Sequence, residues 1–408
     1  MRRDAPTSEP GGSARLRMAI GHANVNYRLA VMSRGLREGT PIPRPAMMGV
    51  WAWRHESRGR VGSKERDRMK QIGALLLLWC AWSMGFAATG SGQMANEEKV
   101  YRTGLTGKRG AFSVSPDGSR LIFDIANTKR TKRTERVGDG LKLLDLRSGK
   151  VETLSLDPRQ DWAVPRWSFS GRELVAASMA MRNDGYYNID ETQVSLLDPV
   201  TWKHRTISSG DGIKVRPFFS ADGKTVYYFK GRRRKSGATF ASRYDLYAID
   251  LEGGSERRLT HGEFYQIAPG DDDGRTLLLA VDDLRYPSRY FDKTFGEEKD
   301  QTGLFVYNKA NETLDPLPID QTAGIFNFYR PRRDRAGNVY FITNTSPPRS
   351  DYKFWLARAT PDGKNPRVLT EVAISADFDI AQDTGEIYVM DTQGDEIVFR
   401  RLSVRADH

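Results

Sequence analysis

The chain has 408 residues, 63 Lys+Arg against 52 Asp+Glu, a formal net charge of +11 and one cysteine. A single cysteine excludes an internal disulfide framework and a multi-cysteine zinc site. The charge by itself points to nucleic acid or an anionic membrane surface, but residues 1–68 carry +8 of it (14 basic, 6 acidic), Lys70 adds one, and residues 71–408 carry only +2 (48 against 46).

The first 68 residues show little periodicity and many Arg and Pro, and read as an upstream segment that is either disordered or not translated. Residues 69–87 read as a secretory signal. Met69-Lys70 is a short n-region, residues 72–86 form an apolar run, and Gly85 and Ala87 supply small residues at a cleavage site. The run is short for a spanning helix, which needs about 20 residues, and Trp79 before Cys80 does not fit a lipoprotein site. Translation from Met69 would make the signal N-terminal, and the mature protein would then lack cysteine. Residues 88–97 form a linker. The expected location is the periplasm of a Gram-negative bacterium, with no integral membrane segment after signal cleavage.

From residue 98 to 404 one unit recurs. Its turns are Ser115-Pro116-Asp117-Gly118, Ser168-Phe169-Ser170-Gly171, Ser220-Ala221-Asp222-Gly223, Asp271-Asp272-Asp273-Gly274, Asp334-Arg335-Ala336-Gly337 and Gln382-Asp383-Thr384-Gly385. The glycines are spaced 53, 52, 51, 63 and 48 residues apart. Self-similarity at this period marks a repeat architecture. Each turn is followed by a short run rich in β-branched and aromatic residues, such as residues 225–229 and 386–390, then by a second at 245–249 or 396–399. A polar hairpin such as residues 252–255 leads to a third, as at 257–260, and a fourth, as at 164–168 and 215–219, enters the next turn. The pattern predicts an all-β, six-bladed β-propeller of four-stranded antiparallel blades. The last unit is one strand short and residues 99–106 are an orphan strand, so the N-terminal strand is expected to complete the last blade.

The Ser-Pro-Asp-Gly turn, the Arg257-Arg258-Leu259-Thr260 ending and the spacing resemble the TolB-like six-bladed propeller family, over residues 98–404. That resemblance implies a propeller that binds a protein or an envelope polymer. The chain departs from TolB itself in having no room for an α/β domain before the propeller.

No Gly-x-Ser-x-Gly elbow, CxxC, HExxH or P-loop is present, and the histidines after the signal, His204, His261 and His408, lie in different units. No catalytic residue, cofactor or metal ligand is assigned. Asp271-Asp272-Asp273 reads as turn chemistry rather than a calcium site.

Five long insertions, residues 127–140, 181–191, 231–243, 282–302 and 344–353, are expected on the face opposite the recurring turns. They carry the candidate binding residues: Tyr186 and Tyr187; Arg232, Arg233 and Arg234 within a basic run; and Arg285, Tyr286, Arg289, Tyr290 and Phe291. Arg and aromatic side chains dominate binding hot spots. His261 and Trp162 are expected near the channel mouth, as are Arg166, Lys214 and Arg216. A third basic run, Arg330, Arg332, Arg333 and Arg335, leads into a turn and is expected to face mostly the other way.

The expected function is non-catalytic binding of a periplasmic protein or envelope polymer, with no nucleic acid partner. The alternative is a lactonase-like or lyase-like propeller enzyme using a metal at the channel mouth. It would need convergence among Asp161, Asp211, Glu263, Asp320, Asp377 and Asp379.

Overall fold

Strand-forming runs separated by Asp-Gly turns leave the backbone one economical arrangement, the antiparallel meander, and each repeat adopts it. A computed structural model describes residues 96–403 except 127–139, 158, 181–188, 237–238, 265–266, 284–301, 321–324, 346–352 and 374–375. Chain contacts divide the protein into two units, residues 1–78 and 79–408, and every described residue lies in the second.

The first blade is β2 (Lys108–Val114), β3 (Arg120–Ala126), β4 (Leu141–Asp145) and β5 (Val151–Thr153). The second is β6 (Gln160–Trp167), β7 (Leu174–Ala180), β8 (Gln193–Leu197) and β9 (His204–Thr206). The third is β10 (Ile213–Phe219), β11 (Thr225–Ser236), β12 (Thr239–Asp250) and β13 (Glu256–Arg258). The fourth is β14 (Ile267–Asp272), β15 (Thr276–Val281), β16 (Gly303–Asn308) and β17 (Thr313–Pro316). The fifth is β18 (Ile325–Arg333), β19 (Val339–Thr345), β20 (Phe354–Ala359) and β21 (Arg367–Val372). The sixth holds β22 (Asp377–Ile380), β23 (Ile387–Gln393) and β24 (Glu396–Ser403), with β1 (Asn96–Thr106) antiparallel to β24 as its outermost strand.

The innermost strands β2, β6, β10, β14, β18 and β22 each touch the next, and β22 touches β2. The six blades therefore form a ring, the arrangement of a β-propeller. Each blade lies between two neighbours, so both faces of its central strands are buried. On β11, Val226 and Tyr228 pack toward the second blade while Tyr227 and Phe229 pack toward the fourth. On β23, Ile387 and Val389 face the fifth blade, and Tyr388 and Met390 face the first. Alternation along a strand thus fills two separate cores. This is why the runs are continuously apolar, and each large side chain so buried contributes about 1.5–3 kcal/mol.

The six turns share one construction. The backbone N–H of Ser115, Ser168, Ser220, Asp273, Asp334 and Ala381 donates to the carbonyl of the residue that starts, or just precedes, the next strand, at 2.8–3.1 Å. In the first and third turns the Ser hydroxyl donates to the turn Asp at 2.5 Å and accepts from Arg120 N or Thr225 N. The glycines have φ between 68° and 91°, a region that glycine enters without steric cost.

Two expectations are corrected. The 231–243 insertion is not wholly a loop. Strands β11 and β12 run on in register from Thr225↔Asp250 to Ser236↔Thr239, so the basic run lies on an extended hairpin. Asp271 and Asp272 belong to β14 rather than to the turn, although Asp272 Oδ1 still accepts from Gly274 N at 2.8 Å, and Asp273 provides the Asx-type bonding to Arg275 N and Thr276 N. The other insertions fall almost entirely outside the described residues, as do the upstream segment, the signal and all but the end of the linker.

Candidate functional site

Aligning the innermost strands on the first residue of each turn exposes a pattern. Two positions before it stand Ser113, Arg166, Phe218, Asp271, Arg332 and Asp379, one from each blade. Four positions before it stand Ala111, Val164, Arg216, Pro269, Arg330 and Asp377. All six of the second set line one small cavity and five of the first set, all but Arg332, line another nearer the turns, so the two sets form two layers in the central channel.

The layer nearer the turns is a closed network. Arg166, from the second blade, bonds Asp271 of the fourth at 2.7 Å and reaches Asp379 of the sixth at 3.4 Å. Arg332, from the fifth blade, donates through Nε to Asp379 at 2.9 Å and through Nη1 to the carbonyls of Pro269 and Pro331, each at 2.9 Å. Asp379 also accepts from Ser113 Oγ at 2.9 Å and Val114 N at 3.0 Å. Ser113 Oγ accepts from Trp167 N, and Asp271 accepts from Arg333 N at 2.7 Å. Two cations and two carboxylates balance, and every carboxylate oxygen has a donor. Phe218 supplies the apolar member.

Burial opposes the charge of Arg332, but Asp379, Asp271 and Asp377 around it reverse this and hold its pKa above the ordinary arginine value. Burial likewise works against ionised Asp377, yet Arg330 and Arg332 hold its carboxyl below the usual carboxylate range. Arg330 Nη1 meets Asp377 Oδ2 at 2.5 Å. Buried charges are tolerated only when paired in this way.

The second layer is backed by strain. Val164, Arg216 and Arg330 have φ of 54°, 54° and 51°, each directly before a proline and each at a register shift in its strand. A β-branched residue in the left-handed region is a genuine outlier. Bulges at such places re-aim side chains, and here they occur where the chain lines the channel. The network separates two small cavities. One, about 30 Å³, lies toward the turns and includes Ser113, Trp167, Phe219 and Asp379. The other, about 20 Å³, is lined by Arg166, Arg216, Arg330, Arg332, Asp377 and Phe112 among others.

Of the residues singled out in the sequence, Arg166 and Arg216 line these cavities. Trp162 does not. It is buried between the first and second blades with its ring 5.0 Å from that of His204. Lys214 is fully buried, donating to the carbonyls of Thr192 and Gly210, and burial lowers its pKa to about 8. His261 is exposed after β13. Arg232 is exposed on β11, and Arg233 and Arg234 pair with Ser242 and Ala241 in the hairpin register. Tyr186, Tyr187, Arg285, Tyr286, Arg289, Tyr290 and Phe291 lie outside the described residues.

The third basic run is also corrected. Arg330 and Arg332 enter the channel, Arg333 reaches Asp273 at 2.7 Å, and only Arg335 is largely exposed. Of the carboxylates considered for a metal, Asp377 and Asp379 reach the channel and both are held by arginines. Asp161 caps Trp162 N, and Asp211 and Glu263 are exposed. Among the described residues no group of three His, Cys, Asp or Glu is placed to hold a metal ion, and no helix is long and apolar enough to cross a membrane. The channel network was hidden in the sequence because its members are far apart and because the fourth and sixth turns, read as starting at Asp271 and Gln382, start at Asp273 and Ala381 in the structure, which puts Asp271, Asp377 and Asp379 out of line with the other repeats.

No protein-family model matches the chain, and no curated protein matches it in sequence. Similar solved structures include TolB from Acinetobacter baumannii (14% identity, TM-score 0.45, 74% of this chain and 65% of that one). Another is the β-propeller domain of the Trilobed protease from Pyrococcus furiosus (14% identity, TM-score 0.44, 72% and 78%). A third is an oligogalacturonate lyase in complex with manganese (11% identity, TM-score 0.44, 76% and 97%). The chain thus spans just under two thirds of the Acinetobacter TolB. Its own turns, blade count and ring closure make it a six-bladed β-propeller whose repeats resemble those of the TolB-like propellers.

Proposed function

We propose that the protein is a non-catalytic binding module of the periplasm, exported by the segment at 69–87 and recognising a protein or envelope polymer through the insertion-bearing face. The observation that carries this reading is the filled channel. Asp271, Asp377 and Asp379, the carboxylates that converge there, are all engaged by arginines and backbone N–H groups, and the cavities beside them are about 20 and 30 Å³. A centre so occupied suits a rigid scaffold better than a substrate site, since ligand pockets run to about 300–1,000 Å³. Function then falls to what the scaffold presents, and Tyr186, Tyr187, Arg285, Tyr286, Arg289, Tyr290 and Phe291 supply contact side chains of the hot-spot type.

The test is capture from periplasmic extract by the wild type and by a triple Tyr286→Ala, Arg289→Ala, Tyr290→Ala variant. A component retained by the wild type should be lost by the variant at unchanged melting temperature. Equal retention would remove this site from the proposal.

A further inference from the structure

The basic run of the third blade has no part in the recognition site above, and its setting differs from that of every other strand pair. Strand β11 pairs with β10 only as far as Gly231, opposite Ile213, and β12 pairs with β13 only from Tyr247 onward. A single bridge from Tyr244 to Phe264 holds β12 just before that. From Arg232↔Arg243 to Ser236↔Thr239 the two strands have only each other among the described residues. At about 3.3 Å per residue, this stretch carries a two-stranded ribbon roughly 15 Å beyond the four-stranded part of the blade.

Residues 230–243 hold six basic residues and no acidic one. Lys230, at the root, is answered by Glu256, and Arg243 lies 3.9 Å from Asp282 with its side chain still 45% exposed. Arg232 is exposed. Alternation along the strands assigns Arg232, Arg234 and Arg243 to one face of the ribbon, and Arg233 and Lys235 to the other. No cross-strand partner in this stretch is acidic, and Arg232 stands directly opposite Arg243. Like charges so placed destabilise a hairpin, and a two-stranded ribbon is marginal even without them.

We propose that this ribbon docks end-on onto an anionic lipid surface, with Arg232, Arg233, Arg234, Lys235 and Arg243 among the headgroups. The placement of the charges selects the partner. A single extended polyanion lies along one face and leaves the cations of the other unanswered. A layer of headgroups surrounds a ribbon that enters it on end and answers both faces at once. Basic clusters of this size are the ones that anionic lipids hold, and anions between Arg232 and Arg243 relieve their repulsion. The inference rests on the reading that the insertion-bearing face is the recognition face. It adds lipid headgroups as a partner separate from the one met by Tyr286 and its neighbours.

The experiment reads the ribbon itself. In the full chain with Cys80→Ser, the substitution Ser236→Cys accepts an environment-sensitive nitrobenzoxadiazole dye, and Ala336→Cys, on an exposed recurring turn, is the control. Emission from the ribbon label should rise and shift to the blue with vesicles of mixed phosphatidylglycerol and phosphatidylcholine, and not with phosphatidylcholine alone. The turn label should respond to neither. Each basic residue at an anionic surface is worth about fivefold in binding, so Arg232→Gln, Arg233→Gln and Arg234→Gln together should weaken the response about 100-fold. Removing three exposed charges elsewhere, by Lys150→Gln, Arg335→Gln and Lys364→Gln, should weaken it less than about threefold. Melting temperatures report that each labelled chain folds, and the response of the unsubstituted ribbon stands without the variants. Binding through the basic residues of the first 68 would sediment the chain with vesicles yet leave the ribbon label unchanged, and would overturn the proposal. So would an equal response to soluble polyphosphate, which assigns a linear polyanion, or equal weakening by both triple substitutions. Periplasmic capture through Tyr286, Arg289 and Tyr290 uses another variant and another probe, so either result can fail while the other holds.

Discussion

Two basic runs of similar composition have opposite fates. Lys230, Arg232, Arg233, Arg234 and Lys235 lie on β11, a second strand prolonged beyond the ring, where Arg232 is exposed and Lys230 pairs with Glu256. Arg330, Arg332 and Arg333 lie on β18, an innermost strand, where all three meet aspartates of neighbouring blades. The strand's place in its blade, not its local charge, decides whether arginines meet water or bury. On β18 the cations work as crosslinks between blades.

The sharpest way to break this contrast is to remove the shared acceptor. Asp379→Ala strips Arg332, Arg166, Ser113 and Val114 N of their partner, and breaking a buried pair costs about 3–5 kcal/mol. The urea midpoint should fall by a matching amount with an unchanged slope. A loss as small as that of a surface substitution would mean that the network is not crosslinking the ring.

Acid should weaken the same centre. Despite burial, the arginines hold Asp377 below the usual carboxylate range. A depressed carboxyl contributes stability above its unfolded value, near 3.9, and loses it as pH falls through the folded value. The stability gap between the wild type and Asp377→Asn should therefore be widest near neutrality and close below about pH 4. A gap that does not change with pH would assign Asp377 a packing role only. The smallest effect belongs to the other run. Arg232→Gln should move stability by no more than about 0.5 kcal/mol, read by the same denaturant titration, and a larger loss would mean that the prolonged hairpin is structurally coupled to the ring.

Blade number, strand order and the recurring glycine turns could be read from the chain because their causes are local, whereas the prolongation of β11 and β12 and the end of β14 could not. Glycines such as Gly118 and Gly223 mark left-handed turns, and the apolar runs between them mark strands buried on both sides. The candidate centre was only half legible. Arg166 and Arg216 were placed near the channel mouth from their innermost strands, but Asp271 read as turn chemistry and Arg332 as part of a run leading into a turn and facing mostly away from the insertions. Trp162 has the composition of a mouth residue and the environment of a core residue, because successive positions on an innermost strand point in opposite directions.

What the sequence determined by itself was the repeat. A turn residue and an alternating strand act over a few positions, and six copies reinforce one another. Only the tertiary structure decided the channel. Arg166 and its acceptors Asp271 and Asp379 are 105 and 213 residues apart in the chain, and nothing local to any of them specifies that pairing. Closing the ring brings one position of each blade to a common axis, where water is scarce and opposite charges must find each other.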